Sequence, residues 1–344
     1  MISQNYYFDL IKLTSLLLLI APKPALAEII GKTSFETKCQ RQIERRSRSN
    51  SCDRLRAKLL ASKTLDYAFN FVNSNAADGE WAARFELRSD DQDRDEKGEL
   101  PVRSELVFKD KRLQVGPGGT DIWYGYKVMI EEYEPDNSWN IIGQGGPVLH
   151  AAWRRGGGCD RGGPNYSFGI EQLDSGQFAW VFGLQYMQQN TCRTEQNSLR
   201  KDWVLEEAPF ELGEWQDIVV NLKSTHEDNG YANIWINGKQ VLSYQGPSGF
   251  HPRDIPLNDW RRVLHIKPVG IYKRGYNKQP GDPARSEKIV VYFDDLRIGK
   301  NSSYEEMKSA IPGVDEQISS NPSQDQTMFQ RLKKYLNSIV SHFK

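Results

Sequence analysis

The sequence predicts an all-β protein: an antiparallel β-sandwich, closest to a jelly roll, over residues 66–299. Hydrophobic residues alternate with polar ones in seven short runs, and clusters of Gly, Pro, Asn and Asp separate the runs with no helical pattern between them. The composition agrees, with 28 Gly and 16 Pro to build turns and 11% aromatic residues to fill a core.

Residues 1–27 read as a leader peptide. Lys12 precedes the apolar run Leu16 to Ala21, and Ala25-Leu26-Ala27 forms a small-x-small cleavage site, so the mature chain is expected to start at Glu28. The apolar run is shorter than the roughly 20 residues a membrane span needs, and no transmembrane segment is expected elsewhere. A secreted or periplasmic location follows. In that oxidising setting the four cysteines Cys39, Cys52, Cys159 and Cys192 favour disulfides over metal ligation. Proximity in sequence favours Cys39 with Cys52 and Cys159 with Cys192 among the three possible pairings.

Residues 28–65 are polar and basic, with Arg41, Arg45, Arg46, Arg48, Arg54 and Arg56 around the first cysteine pair. They read as an appended extension, with a short helical pattern through Leu55, Leu59 and Leu60. The strand runs follow: Tyr67, Phe69, Phe71; Ala83, Phe85, Leu87; Ile122, Tyr124, Tyr126, Val128, Ile130; Phe178, Trp180, Phe182, Leu184, Tyr186; Ile218, Val220, Leu222; Tyr231 to Tyr244; and Ile289 to Ile298. Within the sixth run, Tyr231–Ile236 meets Asn237-Gly238, the dipeptide that type I′ turns favour, and returns through Gln240, which predicts a hairpin. After Gly299, residues 300–344 read as a linker and an amphipathic C-terminal helix, because Met328, Phe329, Leu332, Tyr335, Leu336, Ile339, Val340 and Phe343 recur at helical spacing.

Charge and motifs narrow the function. The 45 basic and 45 acidic residues cancel, so no basic field is available for nonspecific nucleic-acid binding and no nucleic-acid partner is expected. The sequence holds no G-x-S-x-G, H-E-x-x-H or P-loop, and it lacks the E-x-D-x-x-E strand of a jelly-roll glucanase, which disfavours glycoside hydrolysis.

Several short motifs occur in a telling order: Arg103-Ser104-Glu105-Leu106, Trp123-Tyr124-Gly125-Tyr126, Gln144, Trp215 to Val220, Gly230 to Gly238, Gly270-Ile271-Tyr272-Lys273 and Val291 to Arg297. This order resembles the polysaccharide lyases of the heparin lyase I and glucuronan lyase type across residues 66 to 299. The resemblance implies a concanavalin A-like jelly roll that cleaves a uronic-acid polysaccharide by β-elimination in a groove on one sheet, with Tyr272 as the catalytic tyrosine.

Elimination at a 4-linked uronide needs a donor for the C5 carboxylate, a base for the C5 proton and an acid for the leaving O4. Arg103 and Glu105 lie two apart on a strand and share a face, so the carboxylate can orient the guanidinium toward a substrate carboxylate. Gln144 offers an amide to the same group. Lys273 and Arg274 beside Tyr272 would lower a phenol pKa that starts near 10. Tyr272, Gln144 and Arg103 form the catalytic set; Glu105, Lys127, His150, Lys267, Lys273 and Arg274 form the substrate-binding set. The loop from Trp153 to Gly163 is cationic and Gly-rich, suited to closing over an anionic chain.

Two positions depart from the family pattern. Gly146 stands where such lyases usually carry His two residues after the Gln, leaving His150 as the nearest imidazole. Pro268 stands where Lys commonly precedes the tyrosine by four, and Lys267, five before, falls on the opposite strand face unless a bulge intervenes. These departures leave open a relative that binds carbohydrate without cleaving it. A structural envelope protein that assembles through the C-terminal helix is the other alternative. The elimination requires no cofactor; Asp294 and Asp295 are candidates for a structural calcium site. The expected partner is an anionic polysaccharide.

Overall fold

The computed structural model describes residues 28–36, 51–52, 55–61, 67–88, 102–108, 121–132, 148–153, 166–173, 175–186, 199–225, 227–249, 265–273 and 288–309. The strands, in chain order, are β1 (Glu28–Thr33), β2 (Ser51–Cys52), β3 (Leu55–Ala61), β4 (Phe69–Val72), β5 (Ala82–Arg88), β6 (Val102–Phe108), β7 (Asp121–Ile130) and β8 (Val148–Trp153). They continue with β9 (Tyr166–Gln172), β10 (Phe178–Tyr186), β11 (Leu199–Phe210), β12 (Gln216–Lys223), β13 (Tyr231–Ile236), β14 (Lys239–Gln245), β15 (His265–Lys273) and β16 (Lys288–Lys300). One short helix, α1 (Tyr304–Met307), follows.

Two eight-stranded sheets result, and every described pairing is antiparallel. The first runs β14-β13-β12-β7-β16-β5-β4, with β1 also paired to β16; the second runs β11-β10-β9-β8-β15-β6-β3-β2. This is the expected jelly-roll sandwich. Among the described residues no helix is long and apolar enough to cross a membrane.

The alternating runs explain the layering. Phe85, Leu87, Tyr124, Tyr126 and Val128 of the first sheet meet Phe168, Trp180, Phe182 and Leu184 of the second in one buried cluster. Full burial of each such side chain contributes about 1.5–3 kcal/mol. Phe168 and Trp180 stack at 4.8 Å. Three polar ties cross the interior: Trp180 Nε1 donates to Gln216 Oε1 at 2.5 Å, Ser104 Oγ donates to the Ala68 carbonyl at 2.5 Å, and the Tyr124 and Tyr166 hydroxyls bond to each other. Burial pushes both phenols well above their ordinary pKa, so the pair stays neutral. The Asn237-Gly238 turn closes the β13–β14 hairpin with positive φ at both residues, 49° and 85°, as a type I′ turn requires.

Three features differ from the sequence expectation. The pattern at Leu55, Leu59 and Leu60 is strand β3, not helix, and it pairs with β6 from Ala57 opposite Phe108 to Ala61 opposite Ser104. A four-residue spacing between leucines satisfies a period of two as well as one of 3.6, and pairing with β6 decides between them. The sheets also begin at Glu28 rather than near residue 66, because β1 lies along the end of β16 that β5 leaves unpaired. Finally, the stretch taken as linker contains α1. Its Ser303 and Glu306 form a capping box, with Glu306 N donating to Ser303 Oγ at 3.4 Å and Ser303 N to Glu306 Oε2 at 2.9 Å. Fully buried Met307 seals Trp123 and Val219 on the outer face of the first sheet, where Trp235 stacks on Trp123 at 5.7 Å. Compactness divides the chain after Met307; the amphipathic helix expected over 328–343 lies outside the described residues.

The same outer face carries a buried ion cluster at Glu86, whose carboxylate accepts from Arg84 at 2.5 Å and Arg88 Nε at 2.6 Å. Burial raises the Glu86 pKa, but the hydrogen bonds from Arg88 and Arg84 outweigh it and hold the carboxyl below its ordinary value. A depressed carboxyl stabilises the fold above its unfolded pKa, about 4.3, and that contribution disappears as pH falls through the folded value. Thermal midpoints measured from pH 7 to pH 3 are therefore expected to drop more steeply in the wild type than in Glu86→Gln. Parallel curves would remove this assignment.

Candidate active site

The site is set by strand register on the outer face of the second sheet. In the β6–β15 ladder, Arg103 stands directly opposite Tyr272 and Glu105 opposite Gly270. Directly paired residues project to the same side of a sheet. Leu106, Val269 and Ile271 are in the core, so positions 103, 105, 270 and 272 occupy the opposite, outer face. The sequence expectation that Arg103 and Glu105 share a face therefore holds, and Tyr272 joins them. Glu105 is only 3% exposed.

Lys267 reaches the same face through a bulge. Ile266 pairs with Phe108 and Val269 with Leu106, so three steps along β15 match two along β6. One extra residue shifts the alternation by one, and position 267 then falls on the side of Tyr272 although the two are five apart. The pairings with β8 agree: Lys267 lies opposite Ala151 and Tyr272 opposite Val148. Pro268 sits within this irregularity, between central neighbours rather than on an edge, at a place where its missing N–H interrupts no regular ladder. Gly270, with φ of 132°, completes the approach of the strands: a Cβ there would lie 2.4 Å from the Glu105 Cα and 2.5 Å from the Ser104 carbonyl oxygen.

Other expected members are placed elsewhere. Lys127 lies on β7 of the first sheet, between core residues Tyr126 and Val128, and hence on that sheet's outer side, across the sandwich from Tyr272. His150 pairs with core residue Phe168, which assigns position 150 to the core-side face. A bulge between Val148 and His150 causes this, and no local signal in the sequence marks it. Lys273 alternates with Tyr272 and so takes the opposite face at the end of β15. Gln144, Gly146, Arg274, most of the Trp153–Gly163 loop and three cysteines, Cys39, Cys159 and Cys192, lie outside the described residues; Cys52 is on β2.

Asp294 and Asp295 anchor a bulge in β16. Between Asp294 opposite Lys127 and Arg297 opposite Gly125 the strand holds one extra residue, and Asp295 adopts a φ of 46°. Asp294 accepts backbone N–H bonds from Ala77 and Asp78 at 2.9 Å each and from Asp295 at 2.7 Å. Burial lifts its carboxyl to about 6 against these bonds. Asp295 faces Lys32 at 3.6 Å and Arg297 at 3.7 Å. Calcium takes about six to eight oxygen ligands; no group of three or more His, Cys, Asp or Glu side chains suited to a metal occurs among the described residues. Both carboxylates anchor the β16 bulge.

Sequence reasoning missed the polar end of this face. Ser167, Gly183, Arg200 and Asp202 converge where β9, β10 and β11 meet. The run Leu199–Phe210 carries too many charges to read as a strand, yet it forms the edge of the second sheet, where charge is the usual protection against further pairing.

Comparison with known proteins agrees with this architecture. No curated protein matches the sequence. Among solved structures, an endo-β-1,4-glucuronan lyase from the fungus Trichoderma reesei is similar at 16% identity and a TM-score of 0.52, over 72% of this chain and 92% of that one. An alginate lyase from Pseudomonas aeruginosa gives 14% identity and a TM-score of 0.42, over 68% of this chain and 86% of that one. The family model described as polysaccharide lyase matches residues 46–297, which takes in both sheets from β2 into β16. On that match, the chain belongs to the polysaccharide lyase family.

Proposed function

We propose that this lyase cleaves a uronic-acid polysaccharide by β-elimination on the outer face of the second sheet. One observation carries the reading: Arg103 and Tyr272 are direct cross-strand partners on a single face, with Lys267 returned to that face by the β15 bulge. Arg103, joined by Gln144, neutralises the C5 carboxylate and so acidifies the C5 proton. Ionised Tyr272 takes that proton, the C5 electron pair forms the C4–C5 double bond, and the C4–O4 bond breaks. The proton then passes from Tyr272 to the departing O4, which restores the phenolate and leaves an unsaturated uronide at the new non-reducing end. Lys267 supplies positive charge that favours the phenolate and the polyanion. This sequence of steps uses protein groups alone.

The test is ultraviolet absorbance of the unsaturated product over a panel of uronans led by glucuronan, the polymer cleaved by a protein of the same fold. Binding without any rise in absorbance would replace this reading with a carbohydrate-binding role. A uronan is an extracellular polymer, which accords with export directed by residues 1–27 and with disulfides joining Cys39 to Cys52 and Cys159 to Cys192. Peptide mapping under non-reducing conditions should recover both linked pairs; four alkylatable thiols would exclude them.

A further inference from the structure

The outer face of the second sheet continues from Tyr272 to the edge strand β11, and register traces the path. One row runs Tyr272, Val148, Gly169, Val181, Val204, and the adjacent row runs Lys267, Ala151, Ser167, Gly183, Asp202. Between β15 and β11 neither row holds a residue larger than valine. Four strand spacings separate the ends, about 19 Å, the length of several sugar units.

At the far end Arg200 and Asp202 lie two apart on β11 and on the same face. Arg200 Nε donates to Asp202 Oδ2 at 2.7 Å and to Oδ1 at 2.9 Å. Both carboxylate oxygens therefore engage a single nitrogen, and among the described residues the two Nη groups meet no acceptor. The hydrogen bonds to Asp202 raise the Arg200 pKa further, so the guanidinium stays charged throughout the working range. Although Arg200 is half exposed, its guanidinium also approaches the sheet at Gly183: a Cβ there would lie 3.1 Å from Arg200 Nη2, 2.7 Å from Asp202 Oδ1 and 2.8 Å from Ser167 Oγ. Gly183 thus leaves the space in which a guanidinium, a carboxylate and a hydroxyl come together. Paired planar N–H donors match a carboxylate, which a uronan carries on every sugar.

We infer that Arg200 is a specificity-determining residue that receives the carboxylate of a uronate several sugars from the bond broken, positioned by Asp202 and by the absence of a side chain at Gly183. The inference rests on the uronan reading of the same face. It makes this lyase a reader of chain length: long substrates gain a charged contact that short ones cannot reach. Half of the Arg200 side chain is exposed (53%), which limits the gain.

The experiment measures kcat and KM for wild type, Arg200→Gln and Arg200→Glu on a polymeric uronan and on an oligomer too short to span the path. On the polymer, Arg200→Gln should raise KM about fivefold, the equivalent of about 1 kcal/mol, and Arg200→Glu should raise it further. The rise should shrink as salt is added. On the short oligomer KM should not change, and kcat should stay within about twofold on both substrates. A purely structural ion pair would lower the melting temperature and affect both substrates alike, which would overturn the inference. Unchanged KM on the polymer in both variants would overturn it too while leaving the uronan reading intact. Absence of unsaturated product from wild type would remove both.

Discussion

Tyr272→Phe is expected to lower kcat on a uronan by about 10³-fold, within the usual range for loss of a proton-transferring group, while leaving the dissociation constant within about twofold. The substitution removes one oxygen and keeps the ring, so any stacking against sugar survives and the acceptor for the C5 proton does not. Position 272 lies opposite Arg103 in the β6–β15 ladder, so the proposed base and the proposed carboxylate donor stand on adjacent strands of one face. Arg103→Ala should behave differently, raising KM and lowering kcat together, because its contact exists in the ground state and strengthens as enolate-like charge develops. Initial rates from ultraviolet absorbance, with binding measured calorimetrically on the inactive variants, separate the two patterns. If Tyr272→Phe kept a tenth or more of wild-type kcat, another group would have to be the base.

The second large effect is expected at a residue with no reacting atom. Gly270→Ala forces a Cβ to within 2.4 Å of one backbone atom of β6 and 2.5 Å of another, at a φ of 132° that L-residues rarely adopt. Neither neighbour is a flexible side chain, so β15 itself must move. Backbone strain and the lost strand contact together should destabilise the protein by about 3 kcal/mol, a fall of about 6–12 °C in melting temperature for a domain of this size. Tyr272 is two residues away. A shift of about 1 Å there should cost about a hundredfold in kcat for the fraction that folds. Thermal melting with kcat corrected for folded protein checks both; a variant that melts and turns over like wild type would show that β15 accommodates the methyl group without displacement.

Much of the sandwich was legible because an alternation of period two is a local property. Phe85, Leu87, Tyr124, Tyr126, Trp180 and Phe182 could be assigned to the core from their spacing, and the Asn237-Gly238 turn from the conformational freedom of two residues. The motif order around Arg103 and Tyr272 was legible in a different way, through its resemblance to the lyases. Parity stops being local at a bulge. Whether Lys267 shares a face with Tyr272 depends on one unmatched residue between Ile266 and Val269, and only the partners on β6 and β8 place it there. The same applies to position 150, put in register with core residue Phe168 by a bulge in its own strand, and to Lys127, whose charge gave no indication of which sheet would carry it. Strands β1, β3 and β11 carry weak or misleading patterns, and the pairings that bring them into the sheets are made with residues tens to hundreds of positions away, at Ser104 to Phe108 for β3 and Leu296 to Lys300 for β1. Local alternation thus decided which residues build the core, and long-range register decided which polar positions meet on the outer face of the second sheet, because a strand's inward and outward sides are defined only by the strands it pairs with.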